Sequence, residues 1–127
     1  NMRLSNKNLT KPLETEIRQA LLRIIADIRT TEEAHTLISD LLTETEQLAI
    51  AKRLAIALFL TKGKSYEEIK QSLKVSSATV AKVQESLSQA GIKLALSKIK
   101  TDEWAGVWAS KISQTIGRLL GSQTSKD

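Results

Sequence analysis

Lys70, Lys74 and Lys82 flank a short run of small and polar residues, Ser76, Ser77, Ala78 and Thr79. Ammonium and hydroxyl groups in that pattern suit noncovalent docking of a polyanion. The lysines can pair with phosphate oxygens and set a register. Ser76 and Ser77, at the amino end of a helix, add hydroxyls and the positive end of the helix dipole. Ser77, Ala78 and Thr79 are small enough to approach base edges, and Ala78 or the Thr79 methyl can sit against a thymine methyl. Ala81 and Gln84, further along the same segment, are additional candidates for groove contact. The segment has no Arg, so the bidentate Arg–guanine contact is unavailable from it. Base selection then draws partly on DNA shape and on bridging water.

Covalent chemistry finds no comparable set. The only His is His35, and there is no Cys. No glycine-rich phosphate loop and no HExxH motif occurs. The adjacent acids Glu44/Glu46 and Glu67/Glu68 fall in first turns of helices, where the helix dipole accounts for them without a metal or a reaction. An enzyme is not expected, nor a metal site, nor a cofactor.

The elements that would hold the candidate residues read as a helix-turn-helix over 65–87. Ser65 is an N-cap with Glu68 completing a capping box. Ile69 and Leu73 share one face, with Tyr66 adjoining. Lys74-Val75 breaks the helix, and Ser76 caps a second one carrying Val80, Val83 and Leu87. That second helix is expected to stop at Gly91. Upstream, a first helix starts near Thr10–Pro12 and ends about Arg29, with Leu13, Ile17, Leu21, Ile24, Ile25 and Ile28 at helical spacing. Thr30 and Glu33 cap a second, and Thr43 and Glu46 a third. The third contains LAIAKRLAIALFL, residues 48–60, apolar on nearly every face apart from Lys52 and Arg53. Such a helix must be buried all round, either as the core of a monomer or shared with a second chain. Gly63 supplies its stop.

Residues 1–8 read as a disordered tail and 9–91 as a helical DNA-binding domain. Residues 92–127 read as a C-terminal extension with an amphipathic helix over 101–120. Residues 92–100 fit helix, strand or irregular structure equally. Trp104 and Trp108 lie on the apolar stripe of the last helix, as packing residues or as a surface for a partner.

Composition narrows the class. The chain has 127 residues, one Pro, five Gly and 3% aromatics, with a formal charge of +5. Residues 62–100 hold eight Lys against three Glu, whereas 1–61 balance eight against eight and 101–127 three against three. The cationic excess thus falls on and just after the helix-turn-helix, as a polyanion-binding element requires. No apolar run reaches the roughly 18–20 residues that span a bilayer, and the absence of Cys fits a reducing cytoplasm.

From Leu41 to Leu87 the chain resembles the Trp repressor superfamily. The family pattern is an L-T-x-x-E opening, an Arg on the long helix that follows, a Gly, and a helix-turn-helix ending in A-T-[IV]-x-[RK]. Here these are Leu42, Thr43, Glu46, Arg53, Gly63, Ala78, Thr79, Val80 and Lys82. The resemblance implies an all-α, Trp repressor-like multi-helix domain that forms an intertwined homodimer. It implies operator binding by the second helix, with Ser77, Ala78 and Ala81 facing the groove and Lys70 facing the backbone. An effector site, where the family has one, would involve Thr43, Arg53 and Lys82. In the Trp repressor two Arg sandwich tryptophan. Arg53 matches the first, but Lys82 stands at the second, and an ammonium stacks poorly on an indole. Val83 fills a position that is Gly in that protein, and Glu67 replaces a basic residue. A small-molecule corepressor is compatible with the resemblance; tryptophan is disfavoured. Arg53 also has a purely structural reading, as a buried-helix residue paired with a nearby carboxylate.

Residues and resemblance together lead to the expectation of a cytoplasmic, homodimeric transcriptional regulator, a repressor, that binds specific double-stranded DNA. The competing expectation is a protein-interaction module that docks an acidic partner on the same scaffold.

Overall fold

The computed structural model describes residues 8–99 together with 107, 110, 111 and 114. Every regular element among them is helical: α1 Lys11–Asp27, α2 Thr31–Leu41, α3 Glu44–Thr61, α4 Tyr66–Leu73, α5 Ser77–Glu85 and α6 Ala90–Lys98. The all-α class follows from the sequence pattern. Trp104, Trp108 and the cap at Thr101 lie outside the described residues; Val107, Ser110, Lys111 and Gln114 are helical.

The chain divides into two compact units, residues 1–48 and 49–127. In the first, short side chains set the helix starts. Thr10 Oγ1 accepts from Leu13 N–H, and Thr30 Oγ1 accepts from Glu33 N–H at 3.1 Å. At the start of α3 the box is fully reciprocal. Glu46 N–H donates to Thr43 Oγ1 at 3.1 Å, and Thr43 N–H donates to Glu46 Oε1 at 2.8 Å. Two of the orphan donors of this helix end are thereby satisfied. Helix α1 ends at Asp27, two residues before the expected Arg29, because Ile28 turns extended and returns its N–H to Ile25. Neither α1 nor α2 contains a buried residue.

The second unit holds the core. Ala55, Ile56, Ala57, Leu58 and Phe59 of α3 are buried, as are Ile69 of α4 and Val80 and Val83 of α5. Leu60, Leu73, Val75, Leu87, Ile92 and Leu96 pack around this cluster. Burying each large side chain contributes roughly 1.5–3 kcal/mol, so this cluster is what fixes α4 and α5 to α3. The expectation that 48–60 is buried on every face holds only for its second half. Leu48 and Ile50, in its first half, are 55% and 52% exposed.

Two further corrections concern the stretch after the helix-turn-helix. Helix α5 stops at Glu85, before Leu87 and Gly91, because Ser86 returns both its N–H and its hydroxyl to Val83 O, at 2.9 and 2.7 Å. Gly91 therefore ends nothing; it is the second residue of α6. Residues 92–98, undecided from sequence, are helical because Ile92 and Leu96, one turn apart, reach the core.

Candidate nucleic-acid interface

Two helix ends and one turn build the candidate surface. Ser65 caps α4 by accepting from Glu68 N–H at 3.1 Å. The reciprocal half of that box is not made, because the Glu68 carboxylate turns to Lys64 Nζ at 3.7 Å. Ser76 caps α5 by accepting from Thr79 N–H at 3.1 Å, and its hydroxyl also meets Thr79 Oγ1 at 2.9 Å. Between them Lys74 takes the left-handed conformation, φ 55°, and Val75 donates back to Lys70 O at 3.3 Å. This is the Schellman closure, with the apolar residue that follows the cap packed inward; here Val75 packs against the core.

Helix α5 is anchored on one side only. Val80 and Val83 enter the core, while Ser76, Ser77, Ala78, Thr79, Lys82 and Gln84 are exposed and Ala81 is half-buried. The small first-turn residues thus stand free to approach another surface, and the helix that carries them is held by apolar packing. Such an end presents unsatisfied N–H groups and a positive dipole to an anion.

The lysines differ in how free they are. Lys74 and Lys82 are exposed and make no ion pair among the described residues. Lys70 is half-buried and pairs with Glu67 at 3.5 Å. A phosphate must therefore compete with that carboxylate for the Lys70 ammonium. Such exposed pairs contribute only about 0–1 kcal/mol, so the exchange is easy. Gln84 is not simply a free groove contact: Tyr66 Oη donates to its Oε1, which ties the start of α4 to the last turn of α5. The Gln84 amide N–H groups remain available. Separation by 18 residues hides this pair from local pattern, and the same holds for Lys52 Nζ, which donates to Lys74 O at 3.3 Å across 22 residues.

Of the candidate effector residues, Thr43 has another role. Thr43 is the α3 cap described above, its hydroxyl and N–H both engaged by Glu46. Arg53 is exposed and makes no ion pair among the described residues. Lys82 is exposed, and the adjacent Val83 side chain is packed into the core with Ile56, Phe59 and Ile69. Glu46, exposed at the α3 start, has its carboxyl held below the usual range by the Thr43 N–H and then by the Thr43 hydroxyl. His35 is exposed and meets Ser39 Oγ at 3.4 Å. No group of acids or His among the described residues is arranged to hold a metal, and no helix there is long and apolar enough to cross a membrane.

Comparison with known proteins adds a family. The family model described as Trp repressor protein matches residues 16–98, which takes in α2 to α6 and most of α1. A protein of Bacillus subtilis (strain 168), described as "Uncharacterized protein YerC", is 29% identical over 85 residues, covering 65% of this chain and 82% of that one. No solved structure matches the chain significantly.

Proposed function

Because this chain belongs to the Trp repressor family, we propose that it is a transcriptional regulator, a repressor, that binds specific double-stranded DNA in the cytoplasm as a homodimer. The observation that carries the proposal is the one-sided anchoring of α5. Its apolar face is sunk in the core, while Ser76 to Thr79 stand exposed at its amino end between Lys74 and Lys82. In this reading α5 enters the major groove. Lys70, Lys74 and Lys82 take phosphates, and Ser77, Ala78, Thr79, Ala81 and Gln84 meet base edges directly or through water. A single helix-turn-helix makes few contacts, and two copies on a palindrome multiply them.

A homodimer also accounts for apolar side chains that are exposed among the described residues. Leu13, Ile17, Leu21, Ile24 and Ile25 line α1, and Leu48 and Ile50 open α3, all about half exposed. Side chains of this size, repeated at helical spacing, belong in an interface. The Val83 packing weighs against tryptophan as corepressor, and calorimetry with tryptophan is expected to show no heat of binding.

Selection of bound sequences from random duplex DNA tests the proposal. A palindromic site is expected, with affinity that falls steeply as salt rises. The double substitution Lys70→Glu/Lys82→Glu is expected to abolish binding and leave the helical circular-dichroism signal intact. An intact dimer without salt-sensitive duplex binding at low ionic strength refutes the proposal.

A further inference from the structure

Helices α3 and α4 end in the same closure but with different residues. After α3 the left-handed position is Gly63, φ 80°, and Lys64 N–H returns to Phe59 O at 3.0 Å. After α4 it is Lys74, φ 55°, with Val75 N–H returning to Lys70 O at 3.3 Å. Glycine adopts this conformation without cost, whereas a β-carbon crowds the carbonyl oxygen that follows it. Lys74 is the one non-glycine residue with positive φ among the described residues. A strained residue persists where its surroundings hold it in place, and such residues gather at functional positions.

Two observations say what holds Lys74 and what its side chain is free to do. Lys52 Nζ, from α3, donates to the Lys74 carbonyl at 3.3 Å. The Lys74 side chain is exposed, stands two residues before the α5 cap, and has no acidic partner among the described residues. We infer that the strained Lys74 is maintained for its ammonium, which contacts a DNA phosphate, and that Lys52 is a positioning residue that braces the turn through the Lys74 carbonyl. The inference rests on the DNA-binding reading above and adds to it a residue outside the helix-turn-helix. It also implies a trade of stability for affinity at one position.

The trade is testable because stability and binding move in opposite directions. Lys74→Gly relieves the strain and removes the ammonium. The melting temperature is expected to rise by about 4 °C. Duplex affinity at fixed salt is expected to fall, and the slope of log affinity against log salt to shrink by about one per protomer. Lys52→Met is expected to weaken duplex binding by several-fold, while Lys52→Arg, which keeps a donor, retains it. In the Lys74→Gly background Lys52→Met is expected to have little further effect, since no strained turn is left to brace. A Lys74→Gly protein with unchanged affinity and salt slope overturns the phosphate contact. Additive losses from Lys52→Met and Lys74→Gly overturn the positioning role. Parent protein that shows no salt-sensitive duplex binding removes the DNA reading itself, whereas a parent that binds beside unaffected variants removes only this inference.

Discussion

The N-terminal helices and the helix-turn-helix are built from the same local parts and end in opposite states of burial. Helices α1, α2, α4 and α5 each start on a Ser or Thr whose side chain accepts an N–H three residues on. Each carries an apolar stripe. In α4 and α5 the stripe is covered: Ile69, Val80 and Val83 meet Ile56, Ala57 and Phe59 of α3. In α1 the stripe from Leu13 to Ile25 stays between 45% and 51% exposed. An amphipathic pattern specifies that a face must be buried and says nothing of which surface buries it. The second unit finds that surface inside its own sequence. The first has no buried residue in α1 or α2, and the proposed dimer would supply the missing surface.

The largest effect should come from breaking that difference on the N-terminal side. Ile17→Glu together with Leu21→Glu is expected to turn a dimer into a monomer in sedimentation equilibrium at micromolar protein. The core of residues 55–83 keeps its own contacts and should still melt cooperatively. Duplex affinity should fall with the loss of the second half-site contact. A variant that stays dimeric assigns the α1 stripe to some other use and breaks the comparison.

On the other side, Ile69 is 1% exposed and lies in the middle of the α3–α4–α5 cluster. Ile69→Ala is expected to destabilise the second unit by about 2–5 kcal/mol in urea unfolding, through lost transfer energy and a cavity. Ile24→Ala, at 49% exposed and measured in the monomeric background above, should cost less than about 1 kcal/mol, since a half-exposed side chain gives up little burial. Equal costs at the two positions would show that the α1 stripe is covered within one chain.

How much the sequence disclosed follows the same division between local and distant causes. The caps at Thr10, Thr30, Thr43, Ser65 and Ser76 were readable because each bond spans only three residues. The free small residues of α5 followed from placing Val80 and Val83 inward. What stayed hidden depends on contacts far along the chain. Helix α6 forms where Ile92 and Leu96 reach the core, and no pattern within 92–100 announces that. The Tyr66–Gln84 and Lys52–Lys74 bonds join segments that only the folded unit brings together. Gly91 misled because glycine after a helical stripe usually marks an end, whereas Ser86 had already ended α5 through its own side chain.

Small effects are also predicted at the opening of α3, where the reciprocal cap at Thr43 and Glu46 starts the helix that later supplies the core. Thr43→Ala is expected to cost about 1 kcal/mol, the usual cost of losing a threonine cap. The pH response follows from the direction of the Glu46 shift. Its carboxyl is held below the ordinary glutamate range in the folded chain, first by the Thr43 N–H and then by the Thr43 hydroxyl. A depressed folded value means that the unfolded chain takes up the proton first on acidification. The Glu46 contribution is therefore fully present above the unfolded glutamate range and is lost as pH falls through the folded value. Glu46→Gln keeps an acceptor for the Thr43 N–H but removes the titration. Its stability curve should run parallel to the parent's above that range and fall less steeply in the acid range below it. The difference should shrink in Thr43→Ala, because the side-chain half of the cause is then gone. Parallel acid limbs for parent and Glu46→Gln would show that this cap is not coupled to cooperative unfolding, and would place the α3 start with the loosely packed N-terminal helices and apart from the core it leads into.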